Sequence, residues 1–189
     1  MPQSVYISQQ PRDHGGLRGS VHSRKRQTTA QFVRNHSVHA LVLDFDGVFT
    51  DNRVILTADG TESVICDRSD GLAIHTLQQR GFPILVLSAE TCPIVRVRCQ
   101  KLGLECIHSC ANKLAALQSW LKKKDIEPRY TIFVGNDVND IECMKYVGLP
   151  VAVADAFPEV RTVARHVLAS KGGHGAVREI ALAVSLAFR

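Results

Sequence analysis

The sequence predicts an α/β fold, a mostly parallel sheet covered by helices on both faces. Three observations predict it. From His39 onward, apolar runs of strand length alternate with stretches of helical length. Glycines close two of the three helical stretches. Alternation of this kind implies crossover connections, which parallel strands need and antiparallel ones do not.

In chain order the first strand is the apolar run at 40–43, which ends in "DFDG". Residues 53–66, "RVILTADGTESVIC", break the alternation: β-branched runs flank Asp59-Gly60, a hairpin signal. A hairpin directly after the first strand would sit as a flap over that strand's C-terminal end. A helix is expected over 71–80, closed by Gly81, then a strand at 84–87 (ILVL). The next helix, 92–102, has Pro93 near its start and Gly103 after its end. A short strand candidate at 104–107 leads to a helix over 112–124, where Leu114, Leu117 and Leu121 mark one face. Strands at 131–134 (TIFV) and 150–153 (PVAV) follow, with a shorter candidate at 166–168.

The chain has 189 residues, enough for one well-buried domain and an extension. Six of the 23 Lys/Arg and one of the 18 Asp/Glu lie in the first 40 residues, leaving 17 of each beyond them. The net charge of +5 therefore belongs to the N-terminal segment, and the domain itself carries no nucleic-acid footprint. Residues 1–37, rich in Gln, Ser, Arg and Gly, are expected to form a basic, mostly disordered extension before a domain at 38–189. Their Arg-rich, acid-poor composition also resembles a transit peptide, and "SRKRQ" a nuclear-localisation patch. The six cysteines show neither CxxC pairs nor metal spacing and read as reduced thiols of a cytoplasmic protein. No apolar run approaches a membrane span, and His108 and His166 read as structural.

Ligands of open parallel sheets bind at the carboxyl ends of the strands. Asp44 and Asp46 follow the first strand, Ser88 follows ILVL, "GNDVND" follows TIFV, and Lys113 opens a helix on the same rim. This set suits phosphoryl transfer. One carboxylate attacks phosphorus while its neighbour two residues on protonates the leaving alkoxide and then activates water. The like-charge repulsion of carboxylate and phosphate calls for a lysine and a divalent cation, and oxygen-only ligands suit Mg²⁺.

In this order, "DFDGVFTDN", Ser88, Lys113 and "GNDVND" resemble the four motifs of the haloacid dehalogenase superfamily of phosphatases. "DGLAI", "NKLAAL", "VGLPVAVADAFPEV" and "KGGHGAVRE" narrow the resemblance to its capless subgroup, over about residues 39–186. That subgroup includes 3-deoxy-D-manno-octulosonate 8-phosphate phosphatases and the phosphatase-like domain of acylneuraminate cytidylyltransferases, and "LSAETCPIVRVRCQKLGL" looks closest to the latter. The resemblance implies a Rossmann-like three-layer sandwich without a cap domain. It makes Asp44 the nucleophile, Asp46 the general acid/base, and Ser88 and Lys113 the phosphoryl ligands. Mg²⁺ would be held by Asp44, the Asp46 carbonyl, Asn136 and Asp137, with Asn136 where the family has an aspartate. Asp70, Gly71, His75 and Arg98 are implied toward substrate. His75, Glu90 and His174 stand where the octulosonate enzymes carry arginines, which argues for a nonulosonate 9-phosphate over the octulosonate 8-phosphate.

The resemblance also implies a homotetramer whose neighbours close the open site. The 53–66 hairpin is expected in subunit contacts, and "KGGHG" (171–175) is expected to let the C-terminal segment reach a neighbouring site. The rival reading is a non-catalytic oligomerisation module associated with CMP-sialic acid synthesis. The presence of Asp44, Asp46 and Lys113 favours the enzyme.

Overall fold

The computed structural model describes residues 27–188. Its strands are β1 (Ala40–Leu43), β2 (Ile55–Leu56), β3 (Glu62–Ser63), β4 (Ile84–Leu87), β5 (Glu105–Ile107), β6 (Thr131–Gly135), β7 (Leu149–Ala152) and β8 (His166–Val167). Its helices are α1 (Thr29–Arg34), α2 (Ser69–Gln78), α3 (Ile94–Leu102), α4 (Lys113–Lys124), α5 (Ile141–Tyr146), α6 (Pro158–Val163) and α7 (Ala176–Ala187).

Six strands form one all-parallel sheet in the order β5-β4-β1-β6-β7-β8. Every residue of β1, β4 and β6 is buried, because helices cover both faces. On one face α7 packs against α1 and α2, and α2 against α3; on the other α4, α5 and α6 pack in succession. The result is the three-layer, Rossmann-like architecture the sequence predicts. The chain runs outward from β1 to β5 and then returns to β6 on the opposite flank. The winding reverses at β1, so a crevice opens at its carboxyl end. β2 and β3 form the expected antiparallel hairpin, turned by Gly60, and no cap domain covers the crevice among the described residues.

Three features differ from the sequence reading. Within the segment expected to be disordered, Thr28 caps α1 with a capping box to Gln31, and Phe32 and Val33 are buried against α7. One turn of apolar residues shows no sustained periodicity, and the surface that buries it lies at the other end of the chain. The rest of that expectation, residues 1–26, lies outside the described residues. His166 is satisfied by the same contact, its Nε2 2.8 Å from Thr29 Oγ1.

The second difference concerns "KGGHG", which does not lead away from the domain. Gly173 N–H donates to Val48 O at 3.1 Å, and a Cβ on Gly172 would lie 1.9 Å from Gly47 O. The segment is folded against its own chain's first motif and then enters α7. The third difference is that α5, α6 and α7 are helices for which the sequence gives no expectation above; α7 is buried along one side and packs in one layer with α1 and α2. The three helices that the sequence predicts, α2, α3 and α4, start and end within two residues of expectation. All six cysteines are free thiols, with Cys99 and Cys143 buried.

Candidate active site

The crevice is a cleft of about 320 Å³ lined by Asp44, Asp46, Asn52, Arg53, Val54, Ser88, Ala89, Glu90, Lys113, Asn136, Asp137 and Asn139. Each group arrives because a parallel strand ends there. Asp44 follows β1, Ser88 follows β4, Asn136 follows β6, and Lys113 begins α4 after the β5 loop. Asn112 caps α4, its Oδ1 accepting from Ala115 N at 2.9 Å, and this fixes where Lys113 starts. A lysine at a helix N-terminus opposes the helix dipole, so its charge needs compensation.

Two buried carboxylates provide it. Lys113 Nζ donates to Asp44 Oδ1 at 2.7 Å and to Asp140 Oδ1 at 2.9 Å. Phe45 N–H donates to the same Asp44 oxygen at 2.7 Å, so Oδ2 is left without a hydrogen-bond partner among the described residues. Asp140 is fully buried, and its Oδ2 accepts from Asn136 N at 2.9 Å, so it holds Lys113 and the β6 turn together from behind the cleft. Burial, reinforced by the Asp140 charge, pushes the Asp44 carboxyl well above the usual range, while Lys113 opposes that rise. Burial works against the Lys113 charge, but Asp44 and Asp140 outweigh it and hold the ammonium protonated. Asp46 is half-buried and is also raised, by burial and then by Glu90.

The turn that carries Asp46 depends on Gly47. Its φ of +77° lies in the left-handed region, and a Cβ there would lie 1.9 Å from the Asn136 amide nitrogen. The first and fourth motifs therefore touch through a glycine. Asn136 is buried, and its Oδ1 has no hydrogen-bond partner among the described residues. An orphaned amide oxygen among carboxylates on a cleft wall fits a hard divalent cation. Among the described residues no three His, Cys, Asp or Glu side chains are grouped as metal ligands, so a cation here would draw on amide, carbonyl and water oxygens as well. Ser88 is buried at the rim, with its Oγ accepting from Glu90 N at 3.0 Å and its hydroxyl proton left to donate.

Of the residues expected from sequence, the structure brings Asp44, Asp46, Ser88, Lys113, Asn136 and Asp137 to one cleft. Asp70, Gly71, His75 and Arg98 do not line it. Asp70 is buried in α2, with Oδ1 accepting from Arg178 N at 2.9 Å, and Arg98 donates to Asp67 O at 2.9 Å. His75 is exposed beside Gln79. Asp140 is known from the sequence only as the last residue of "GNDVND", and Asn52, Arg53 and Asn139 carry no sequence signal of their own. Asn52 and Arg53 stand at the end of the first motif and the start of the predicted flap, a position that places them over the strand end.

The family model for haloacid dehalogenase-like hydrolases matches residues 87–180. The 3-deoxy-D-manno-octulosonate 8-phosphate phosphatase of Salmonella typhi is 32% identical over 154 residues, covering 81% of this chain and 82% of the relative. Among solved structures, one classed with this hydrolase family, from Streptomyces avermitilis, has 42% identity and a TM-score of 0.77, covering 87% of this chain and 90% of the other. The Moraxella catarrhalis octulosonate phosphatase, in complex with magnesium, phosphate and the sugar acid, has 27% identity and a TM-score of 0.78, covering 84% and 91%.

Proposed function

We propose what this chain acts on, and how, starting from its family: it belongs to the haloacid dehalogenase-like hydrolases and is a phosphatase. Its reaction is Mg²⁺-dependent hydrolysis of a sugar-acid phosphate, through an aspartyl-phosphate at Asp44. The observation that carries this reading is the asymmetry of Asp44 in the cleft wall: one oxygen is tied to Lys113 and a backbone amide, and the other has no hydrogen-bond partner among the described residues.

Asp44 Oδ2 attacks phosphorus, the bond from phosphorus to the sugar oxygen breaks, and Asp46 gives its proton to the departing alkoxide. The raised affinity of Asp46 for a proton suits that role. Asp46 then takes a proton from water, whose oxygen attacks phosphorus and frees Asp44 and inorganic phosphate. Lys113 and the Ser88 hydroxyl stabilise the phosphoryl oxygens in both steps. Asp44, the Asp46 carbonyl, Asn136 and Asp137 would hold Mg²⁺, which when bound neutralises phosphate charge that Lys113 alone cannot match.

The substrate class follows the octulosonate 8-phosphate phosphatases to which the chain is similar. The neutral or acidic residues at 75, 90 and 174 favour a nonulosonate 9-phosphate of the acylneuraminate kind. We assign the chain to the cytoplasm and to a homotetramer; the tetramer is supported by the flap, where Val54, Ile55, Leu56 and Ile65 are each more than half exposed. Gly71, His75 and Arg98 lie outside the cleft, so in this reading their contact with substrate is made from a neighbouring copy; Asp70, expected with them, is fully buried under Arg178 and supports α2 instead. The catalytic domain takes in α1 as well as 38–189, and residues 1–26 form the basic extension.

The test is phosphate release, with and without Mg²⁺, from octulosonate 8-phosphate, sialic acid 9-phosphate and its deaminated analogue. Metal-dependent turnover with the nonulosonates leading is expected. Turnover of simple phosphate esters with none of any sugar-acid phosphate would reject the substrate class.

A further inference from the structure

The charges of the cleft do not balance. Asp44, Asp46, Glu90 and Asp137 line it against two cations, Lys113 and Arg53. Lys113 is committed to Asp44 and Asp140. Glu90 is turned toward its own backbone, accepting from Thr91 N and Cys92 N, and the second of these bonds leads in holding it below the usual carboxylate range. A phosphate monoester that also carries a carboxylate brings a second anion, and Arg53 is the lining cation that no buried carboxylate occupies.

Arg53 is aimed, although its side chain is 81% exposed. Asp51 Oδ2 accepts from Nε at 2.9 Å and lies 2.8 Å from Nη2, so one carboxylate oxygen steers the guanidinium. Nη1 has no partner among the described residues. The backbone beneath is fixed from behind: a Cβ on Gly173, whose φ is +68°, would lie 2.5 Å from Asp51 N, and Asn52 turns the chain with a φ of +64°. An isolated exposed ion pair adds little stability. A pre-aimed planar fork at the mouth of a cleft does suit two-point recognition of a carboxylate.

We propose that Arg53, held by Asp51, is the specificity residue that reads the substrate's carboxylate. The inference deepens the function proposed above and rests on its sugar-acid reading. It is tested with phosphate monoesters paired by the presence or absence of a carboxylate: each sugar-acid phosphate against its neutral sugar phosphate, and 3-phosphoglycerate against glycerol 3-phosphate. The readout is the ratio of kcat/KM within a pair; for pairs hydrolysed too slowly, it is the ratio of inhibition constants against p-nitrophenyl phosphate turnover. Wild type should favour the carboxylated member. Arg53→Gln should shrink that preference by at least about tenfold through KM, with Arg53→Lys between the two.

A wild type with no preference overturns the proposal, as does an Arg53→Gln ratio that stays the same because both members fall together. Failure of the sugar-acid reading looks different: no sugar-acid phosphate is hydrolysed, while the glycerate pair still judges Arg53.

Discussion

Lys113 Nζ lies 2.7 Å from Asp44 Oδ1, and both side chains are at most 5% exposed. The partners of this lysine, Asp44 and Asp140, would be uncompensated without it, and removing one member of a buried charged network costs roughly 3–5 kcal/mol. Lys113→Met should therefore lower both stability and kcat, the latter by at least about 10²-fold through the lost phosphoryl contact. Denaturant unfolding and steady-state kinetics check this; a variant as stable and active as wild type would contradict it.

Asn136 gives a prediction about metal. Its orphaned Oδ1 costs free energy unless a ligand satisfies it. In Asn136→Asp, added charge should lower the Mg²⁺ concentration that half-saturates the thermal shift by about tenfold, and Asn136→Ala should raise it. Thermal unfolding across a Mg²⁺ titration reads this without turnover. Identical midpoint shifts in all three proteins would place the cation elsewhere.

Asp70 gives a prediction about pH. Burial pushes its carboxyl up to about 6, against an ordinary 3.8, although the Arg178 N–H bond pulls the other way. The folded state thus binds the proton more tightly than the unfolded chain. Stability falls as pH rises from about 4 through 6 and stays reduced above that. Asp70→Asn keeps an acceptor for Arg178 N and removes the charge. Its urea midpoint should match wild type near pH 4 and exceed it at pH 8. A variant less stable than wild type at pH 8 would show that Arg98 and Arg178 anchor the anion.

The docking of α1 is checked by stability alone. Phe32 is 2% exposed and stacks on His166 with ring centroids 4.8 Å apart. Phe32→Ala should cost about 3 kcal/mol in urea unfolding. No change would mean that α1 contributes nothing to the folded domain.

How much was legible follows from range. The strand ends and their polar residues were readable because each motif is local: an apolar run that ends directly in a carboxylate or a hydroxyl, or through Gly135 in an amide. Parallel topology brought Asp44, Ser88 and Asn136 together with no further information. What was not readable depends on distant partners. α1 is one turn of apolar residues whose burying surface, α7, lies more than 130 residues away. The role of Asp140 behind Lys113 and the packing of Gly172 on Gly47 are contacts between segments that carry no periodic signal. "KGGHG" read as freedom because glycine permits flexibility, and here it permits close backbone approach instead.

The most direct measurement of the central claim is to trap the intermediate. The enzyme is quenched during turnover with Mg²⁺ and treated with borohydride, which reduces an acyl-phosphate to an alcohol, and residue 44 is then read by peptide mass spectrometry. Homoserine at position 44, absent without substrate and absent in Asp44→Asn, is the predicted result. Full phosphate release from Asp44→Asn, with no reduced residue at 44 in wild type, would contradict the account.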